Sequence, residues 1–338
     1  MTFPSRLPDP DRLDPASVPS LRWGVIGPGW IAERFVRSVQ RFTQQKIVGI
    51  ESRDGDRAAA FARQFDIPHA FDGAMSGHPE IDALYIATPH PFHAAMARHG
   101  LEAGKPVLVE KPICVSAEET ADLIGCARKY DVFLMEAYWT DFLPKFSVLR
   151  KTLADGLIGD ITTVLADHGE FFPSDHRIMR ADLGGGPMLD LGTYVVGLAT
   201  GVLGRPDHVV AQSVPAASGV DGQTGMVLHY KGGAQAVLHT TLLSHTPCEA
   251  TIGGRRGMIT LPGKFYTPGP FTVTANDLKT RLVFEEPCTS YDGLHYQVEH
   301  MAWCIGQGLR ESPIRPLSAS LMAMETMDRA RIAGRETR

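Results

Sequence analysis

The chain has 338 residues, 43% of them hydrophobic and 21% charged, with a formal net charge of -5. That length accommodates two domains with proper cores, and a small acidic excess without charge blocks excludes nucleic acid or an anionic membrane surface as the natural partner. Cys114, Cys126, Cys248, Cys288 and Cys304 are odd in number and never form a C-x-x-C pair, which predicts reduced thiols in a cytoplasmic setting and neither a disulfide framework nor a zinc site. No apolar run approaches membrane-spanning length in this reading, because glycines interrupt even Tyr194–Leu203, and the N-terminus lacks the basic and apolar regions of a signal peptide.

Residues 1–20 carry five prolines and little apolar periodicity, so a flexible leader is expected. Order begins with a strand from Leu21 to Ile26 that runs into Gly27-Pro28-Gly29-Trp30-Ile31-Ala32 and a helix to about Phe42. This is a G-x-G-x-x-A pattern in its required strand-to-helix context. Gly27 permits the tight turn, Gly29 lets a pyrophosphate approach bare backbone, and Ala32 allows close helix–strand packing, while the helix N-terminus presents N–H groups to the phosphates. A second strand from Lys46 leads to Glu51-Ser52-Arg53, where such a fold reads the adenosine ribose. A short strand at His69–Phe71 follows, then Ala83–Ala87, ending in Thr88-Pro89-His90-Pro91-Phe92-His93. Val107-Leu108-Val109-Glu110-Lys111-Pro112 reads as a buried central strand delivering a cation at its carboxyl end, the edge where open α/β sheets bind ligands. A helix from Ala117 to Tyr130, with Ser116 as N-cap, and a strand at Val132–Ala137 complete a doubly wound parallel sheet over residues 21–140.

After the aromatic stretch Tyr138–Pro144 the rhythm changes. A helix of about ten residues precedes Gly156, and from there strand-like stretches follow one another without intervening helices: Ile161–Asp167, His208–Ser213, Gly225–Tyr230, Ala234–Leu243, Ala250–Ile252, Met258–Leu261 and Arg281–Phe284. Glycine turns such as Lys231-Gly232-Gly233 indicate hairpins. Residues 141–338 are therefore expected to form an α+β domain on a large, mostly antiparallel open sheet, closed by helices at about Leu294–Gln307 and Ser318–Ile332. Such a sheet has a helix-free face that needs cover, which predicts a homodimer through it. Within this domain Leu183-Gly184-Gly185-Gly186-Pro187 should start a helix at Pro187, placing Asp190 and Tyr194 at i and i+4 on one face, an acid above a phenol. Neither a Cys nor an acid completes a ligand set near His90 and His93, so no metal is expected.

Taken together, the GPGWIA turn, the VEKP strand end and the LGGGPMLDLGTY helix resemble the Gfo/Idh/MocA oxidoreductases. The MEAYWTDFLP stretch and the terminal GLRESPIRPLSASLMAMETMDRAR narrow the resemblance to the dimeric dihydrodiol dehydrogenase and D-xylose dehydrogenase branch. It implies a Rossmann domain followed by an α/β domain whose open sheet forms the oligomer interface, and metal-free, NAD(P)-dependent hydride transfer at a carbinol carbon of a cyclic diol or sugar. By position it implies Lys111, Asp190 and Tyr194 as the catalytic set, a substrate-side arginine at Arg177, and Trp139 and Phe142 as aromatic walls. Gly27, Gly29, Trp30, Ile31, Ser52, Arg53, Thr88, His90, His93, Glu110 and Lys111 are expected to line the cofactor, with His93 near the nicotinamide ribose. The pairing of Ser52 with Arg53 favours NADP, since a hydroxyl and a guanidinium suit a 2′-phosphate, although Glu51 could instead read the ribose of NAD. The alternatives are an NAD-dependent sugar or inositol dehydrogenase, and a non-catalytic dinucleotide-binding redox sensor.

Overall fold

The computed structural model describes residues 3–286 and 290–336, so Cys288 lies outside the described residues. In chain order the strands are β1 (Arg22–Ile26), β2 (Lys46–Glu51), β3 (His69–Phe71), β4 (Ala83–Ile86), β5 (Val107–Glu110), β6 (Leu134–Ala137), β7 (Ile161–Gly169), β8 (His208–Pro215), β9 (Asp221–His229), β10 (Gln235–Thr241), β11 (Ala250–Gly254), β12 (Gly257–Leu261), β13 (Phe271–Ala275) and β14 (Arg281–Phe284). The α-helices are α1 (Trp30–Phe42), α2 (Gly55–Gln64), α3 (His93–Glu102), α4 (Ala117–Tyr130), α5 (Pro144–Ala154), α6 (Thr193–Leu203), α7 (His295–Gly306) and α8 (Leu317–Glu336). They form two compact units, one made of Arg12–Phe142 with Ser290–Leu321, the other of Met1–Asp11, Leu143–Thr289 and Met322–Arg338.

The first unit holds a six-stranded parallel sheet in the order β3-β2-β1-β4-β5-β6. The order reverses between β1 and β4, the switch point at which doubly wound sheets take their ligands. Strands β4, β5 and β6 are buried along their whole length, as apolar runs must be when helices cover both faces. Ser116 caps α4 as expected, its hydroxyl accepting from Glu119 N at 3.2 Å while Glu119 Oε2 accepts from Val115 N at 3.3 Å, a reciprocal capping arrangement. The expected cut at residue 140 is corrected by the C-terminal half of the chain. Residues Ser290–Leu321 belong to the Rossmann unit, because Val298, Met301 and Cys304 of α7 join the core built by Trp23, Phe35, Tyr85 and Leu108.

The second unit is built on eight strands in the order β14-β13-β12-β11-β7-β10-β9-β8. All neighbours pair antiparallel except β7 and β10, and the hairpin between β9 and β10 turns at Lys231-Gly232-Gly233 as the sequence indicates. Strand β13 was not expected, since Phe271–Ala275 follows a stretch of Pro and Gly that masks its alternation. Helix α6 packs on β7 and β10 and covers one face. The helical stretch Ala181–Leu203 is long and apolar enough to cross a membrane, contrary to the sequence estimate, but 78% of its apolar window is buried inside the unit. The segment before β1 is held by contacts of its own. Asp11 N donates to Ser147 Oγ at 2.8 Å, and the Asp11 carboxylate pairs with Lys151.

Candidate active site

In the Rossmann unit the turn after β1 is shaped by Gly27, whose φ of +102° and whose missing side chain both matter: a Cβ there would lie 2.8 Å from Ala87 O at the end of β4. Gly29 occupies the N-cap of α1 with no side-chain cap, and a Cβ on it would meet nothing nearer than 3.9 Å. The first-turn N–H groups of α1 thus have no side-chain cap and follow bare glycine backbone, the arrangement a pyrophosphate requires. Beside this turn the Thr88 hydroxyl is buried with no hydrogen-bond partner among the described residues, and a buried hydroxyl left so is costly unless a ligand completes it. These residues fit a dinucleotide. Ile31 is half-buried against the core, and Trp30 is exposed, with the Arg34 guanidinium 3.6 Å over its ring and Tyr291 at its edge.

At the end of β2 the Glu51 carboxylate accepts from Met75 N at 2.8 Å, while Ser52 Oγ accepts from Asp54 N at 3.2 Å. The Arg53 guanidinium lies 5.1 Å over the Phe92 ring, and Arg57 donates to Pro28 O of the glycine turn at 3.4 Å. Two guanidinium groups and a hydroxyl therefore lie along this segment, with the Glu51 carboxylate engaged by Met75 N and that of Asp54 by the first turn of α2.

Lys111 leaves β5 within a turn clasped by side chains. Glu110 accepts from Tyr85 Oη at 2.6 Å through one oxygen and from Lys111 N at 3.1 Å through the other. His93 meets Pro112 O and Thr88 O, each at 2.8 Å, with its two ring nitrogens. Glu136 Oε1 accepts from Ile113 N at 3.1 Å. His93 is fully buried between these two carbonyls, one of which accepts its ring N–H, and it ties the end of β4 to the Lys111 turn. Burial pushes its pKa down, against the pull of the two carbonyls. His90 is buried with its ring 5.5 Å from that of His93. Trp139 stacks on Tyr291 at 5.7 Å and Phe142 lies in the core, 5.0 Å from the His300 ring. Both rings are buried.

In the second unit the three glycines fold as a tight return. A Cβ on Gly185 would meet Arg180 O and Ile178 O at 2.5 Å, which admits glycine alone. Pro187 then caps a π-helical turn over Met188–Gly192, and the α-helix begins only at Thr193. The expected α-helical start at Pro187 is corrected accordingly: the first turn is π-helical, with Asp190 in it and Tyr194 in the α-helix that follows. Asp190 accepts from Arg177 Nη2 at 3.1 Å, with Arg177 about half exposed, so the two residues expected at the substrate are an ion pair. Tyr194 is buried in an aromatic stack that sequence reasoning missed. Its ring lies 4.4 Å from Tyr266 and 5.6 Å from His168, and the latter two stack at 4.3 Å. Glu170 meets His168 Nε2 at 3.2 Å and accepts from Tyr266 Oη at 2.9 Å. The His168 contact above all, then the Tyr266 hydroxyl, overcomes burial and holds the Glu170 pKa down at about 2. Burial, and then the Glu170 charge, pushes the Tyr266 phenol up, so it remains a proton donor to that carboxylate. Tyr266 comes from the loop between β12 and β13, and no spacing in the sequence links it to Tyr194.

Among the described residues no group of His, Cys, Asp and Glu is placed to hold a metal. What the fold and these constellations define is a dinucleotide-binding Rossmann protein with a second, largely antiparallel sheet domain. Residues 21–138 match the oxidoreductase family with an NAD-binding Rossmann fold, and residues 146–260 match the GFO/IDH/MocA C-terminal domain. The chain belongs to the Gfo/Idh/MocA family of oxidoreductases. It is 34% identical to the trans-1,2-dihydrobenzene-1,2-diol dehydrogenase of Xenopus tropicalis, over 91% of this chain and 96% of that protein. The Homo sapiens protein of the same name is 32% identical over 93% of this chain and 97% of its own. Among solved structures, a 3-ketoreductase from Actinomadura kijaniata in complex with NADP and TDP-benzene superposes with a TM-score of 0.83 at 25% identity, covering 93% of this chain and 98% of that one. A levoglucosan dehydrogenase in complex with NADH and levoglucosan shares the fold with a TM-score of 0.84 at 18% identity, covering 95% and 98%.

Proposed function

We propose that the protein is a dehydrogenase that transfers hydride between a carbinol carbon of a cyclic diol or sugar and a nicotinamide dinucleotide, preferring NADP. One observation carries the reading: at the switch point of the parallel sheet the uncapped α1 N-terminus, the unpartnered Thr88 hydroxyl and the clasped Lys111 turn occupy neighbouring strand ends. When bound, the dinucleotide supplies the hydride acceptor. Lys111 polarises the reacting oxygen and favours the ionised form of the Tyr194 phenol, Tyr194 as phenolate takes the hydroxyl proton while the hydride leaves to the nicotinamide, and Asp190 with its partner Arg177 orients the substrate hydroxyl. The carry-over of these roles follows the family resemblance, and the names of the relatives support the diol class. For the cofactor, the commitment of Glu51 to Met75 N and the gathering of Ser52, Arg53 and Arg57 support a 2′-phosphate over a 2′-hydroxyl.

The open sheet face supports a homodimer. Val210, Val227, Val237 and Leu165 are register neighbours across β8, β9, β10 and β7, and the row continues through Thr251, Thr260 and Thr272 to Val283. Val210, Val237, Leu165 and Val283 are 45–55% exposed, an aliphatic stripe that a second copy would cover with a two-fold interface. The four described cysteines are buried thiols, which supports residence in a reducing compartment such as the cytoplasm.

The test is absorbance at about 340 nm with NADP or NAD and a panel of trans-diols and aldoses, where turnover of one class is expected. Tight dinucleotide binding with no turnover on any member would overturn the reading in favour of a non-catalytic sensor.

A further inference from the structure

We propose that Arg315, about 200 residues downstream of Lys111, is a positioning residue for that lysine, acting through Glu136 on the backbone of the Lys111–Ile113 turn. The proposal rests on the reading of Lys111 as catalytic. It starts from a division of labour within one carboxylate. Glu136 Oε2 accepts from Arg315 Nε at 3.1 Å, from Arg315 Nη2 at 2.9 Å and from Ser320 Oγ at 2.6 Å. Its other oxygen, Oε1, accepts from Ile113 N at 3.1 Å. Arg315 further points Nη1 at Asp141 Oδ2, 3.4 Å away, and lies 4.2 Å over the Tyr138 ring. The side chains of Arg315 and Glu136 are 3% and 2% exposed.

Backbone chemistry makes the Ile113 contact matter. Pro112 has no N–H, so the donors nearest Lys111 are its own N–H and that of Ile113. Each is taken by a buried carboxylate, Lys111 N by Glu110 and Ile113 N by Glu136. Glu110 is steadied within the parallel sheet by Tyr85. Glu136 is steadied from outside it, by Arg315 and Ser320, which follow α7. Removing the arginine would leave a buried carboxylate uncompensated, and such a group protonates or turns toward solvent. Either response loosens the grip on Ile113 and lets the Lys111 ammonium drift.

A fully buried ion pair is poor evidence for stability in itself, because packed apolar residues of similar volume often serve as well. What the pair adds here is geometric: it fixes which oxygen of Glu136 faces the turn. Displacement of a reacting group by about 1 Å can cost about 10²-fold in rate even when the altered residue is remote.

The experiment compares Arg315→Met, Arg315→Lys, Glu136→Gln and Ser320→Ala, with Arg310→Ala as control, since Arg310 makes an exposed pair with Asp131 in the same C-terminal segment. Dinucleotide affinity and binding stoichiometry are read by fluorescence quenching, melting temperature by calorimetry, and kcat per dinucleotide-binding chain at saturating substrate. Arg315→Met and Glu136→Gln are expected to lower that kcat by about 10- to 100-fold with dinucleotide Kd within about threefold of wild type, Arg315→Lys to recover part of the loss, and Ser320→Ala to lose about twofold to fivefold. Arg310→Ala should keep the wild-type rate. A purely structural pair would reduce melting temperature and the binding-competent fraction while leaving kcat per competent chain unchanged, and that result overturns the proposal. If the methionine and glutamine variants do not fold, wild-type kcat in both Arg315→Lys and Ser320→Ala overturns it as well. Lys111→Met separates the two layers. Retained turnover there would refute the catalytic reading and the positioning role with it, whereas lost turnover in Lys111→Met with intact kcat in the Arg315 and Glu136 variants would refute the positioning role alone.

Discussion

The two sheets solve burial in opposite ways. In the parallel sheet β4, β5 and β6 are covered on both faces, and the chemistry-bearing residues Thr88, Glu110 and Lys111 stand at the strand ends, where the chain leaves the core. In the eight-stranded sheet β8, β9 and much of β10 alternate between buried and more exposed positions, so one face packs on α6 while the other presents the aliphatic row. Polar groups follow the same division. The Rossmann unit fixes its lysine turn with carboxylates and a histidine bonded to backbone, whereas the sheet unit sets its tyrosine against stacked rings that a carboxylate holds in turn. A sheet closed on both sides confines function to its edges and turns. One open on a face has a surface left to spend on assembly.

The sharpest way to break this comparison is to remove the reacting groups from each unit. Tyr194→Phe is expected to cut turnover by about 10²–10⁴-fold, the usual worth of a positioned acid–base group, while dinucleotide affinity, the task of the other unit, stays close to wild type. Near-native turnover in steady-state assays would make the phenol structural. Next in size is cofactor choice. Arg53→Ala should lower the ratio of kcat/KM for NADP over NAD by about tenfold to 100-fold, as loss of one charge-assisted contact of about 1.5–3 kcal/mol implies. A wild-type preference for NAD, or an unchanged ratio in the variant, contradicts the 2′-phosphate assignment.

The open face is probed by charge. Leu165→Lys or Val237→Lys, each at the middle of the exposed row, should weaken the dimer by about tenfold or more, because each buries an unpaired ammonium in place of an aliphatic chain. Light scattering should then fall from about twice the chain mass of 36.8 kDa toward one copy. A wild-type protein that scatters as a monomer at micromolar concentration removes the interface. The smallest expected effect concerns Glu170. Its pKa is held at about 2, below the ordinary 4.5, so its contribution to stability is fully present above pH of about 4.5 and fades as pH falls toward 2. Glu170→Gln should therefore flatten the decline of melting temperature in that acid window and leave the slope at neutral pH unchanged. An acid-side slope identical to wild type would show that the carboxylate titrates normally.

Much of this was legible in one dimension because the signals are local. The β-branched run at Val107–Val109, the glycine turn between β1 and α1, and the Ser116 cap each state their conformation within a few residues. The helix at Pro187 was legible but its first turn was not, since the sequence suggests an α-helix throughout and nothing local announces where a helix widens. For Trp139 and Phe142 the sequence leaves packing and a substrate wall open, because both use the same residue types, and the structure adds the neighbours Tyr291 and His300.

The sequence by itself determined the two sheets, the glycine turn, the strand-end lysine and the family, all of them set by short-range periodicity and backbone chemistry. Tertiary structure alone decided that residues 290–321 return to the Rossmann unit, that Tyr266 and His168 flank Tyr194 while Glu170 holds both of those rings, and that Arg315 reaches Glu136. Apart from that of Glu170 with His168, those pairings join residues from about 25 to 180 positions apart, with no periodic signal between them, and they form because a buried charge or hydroxyl must find a partner wherever the packed chain supplies one.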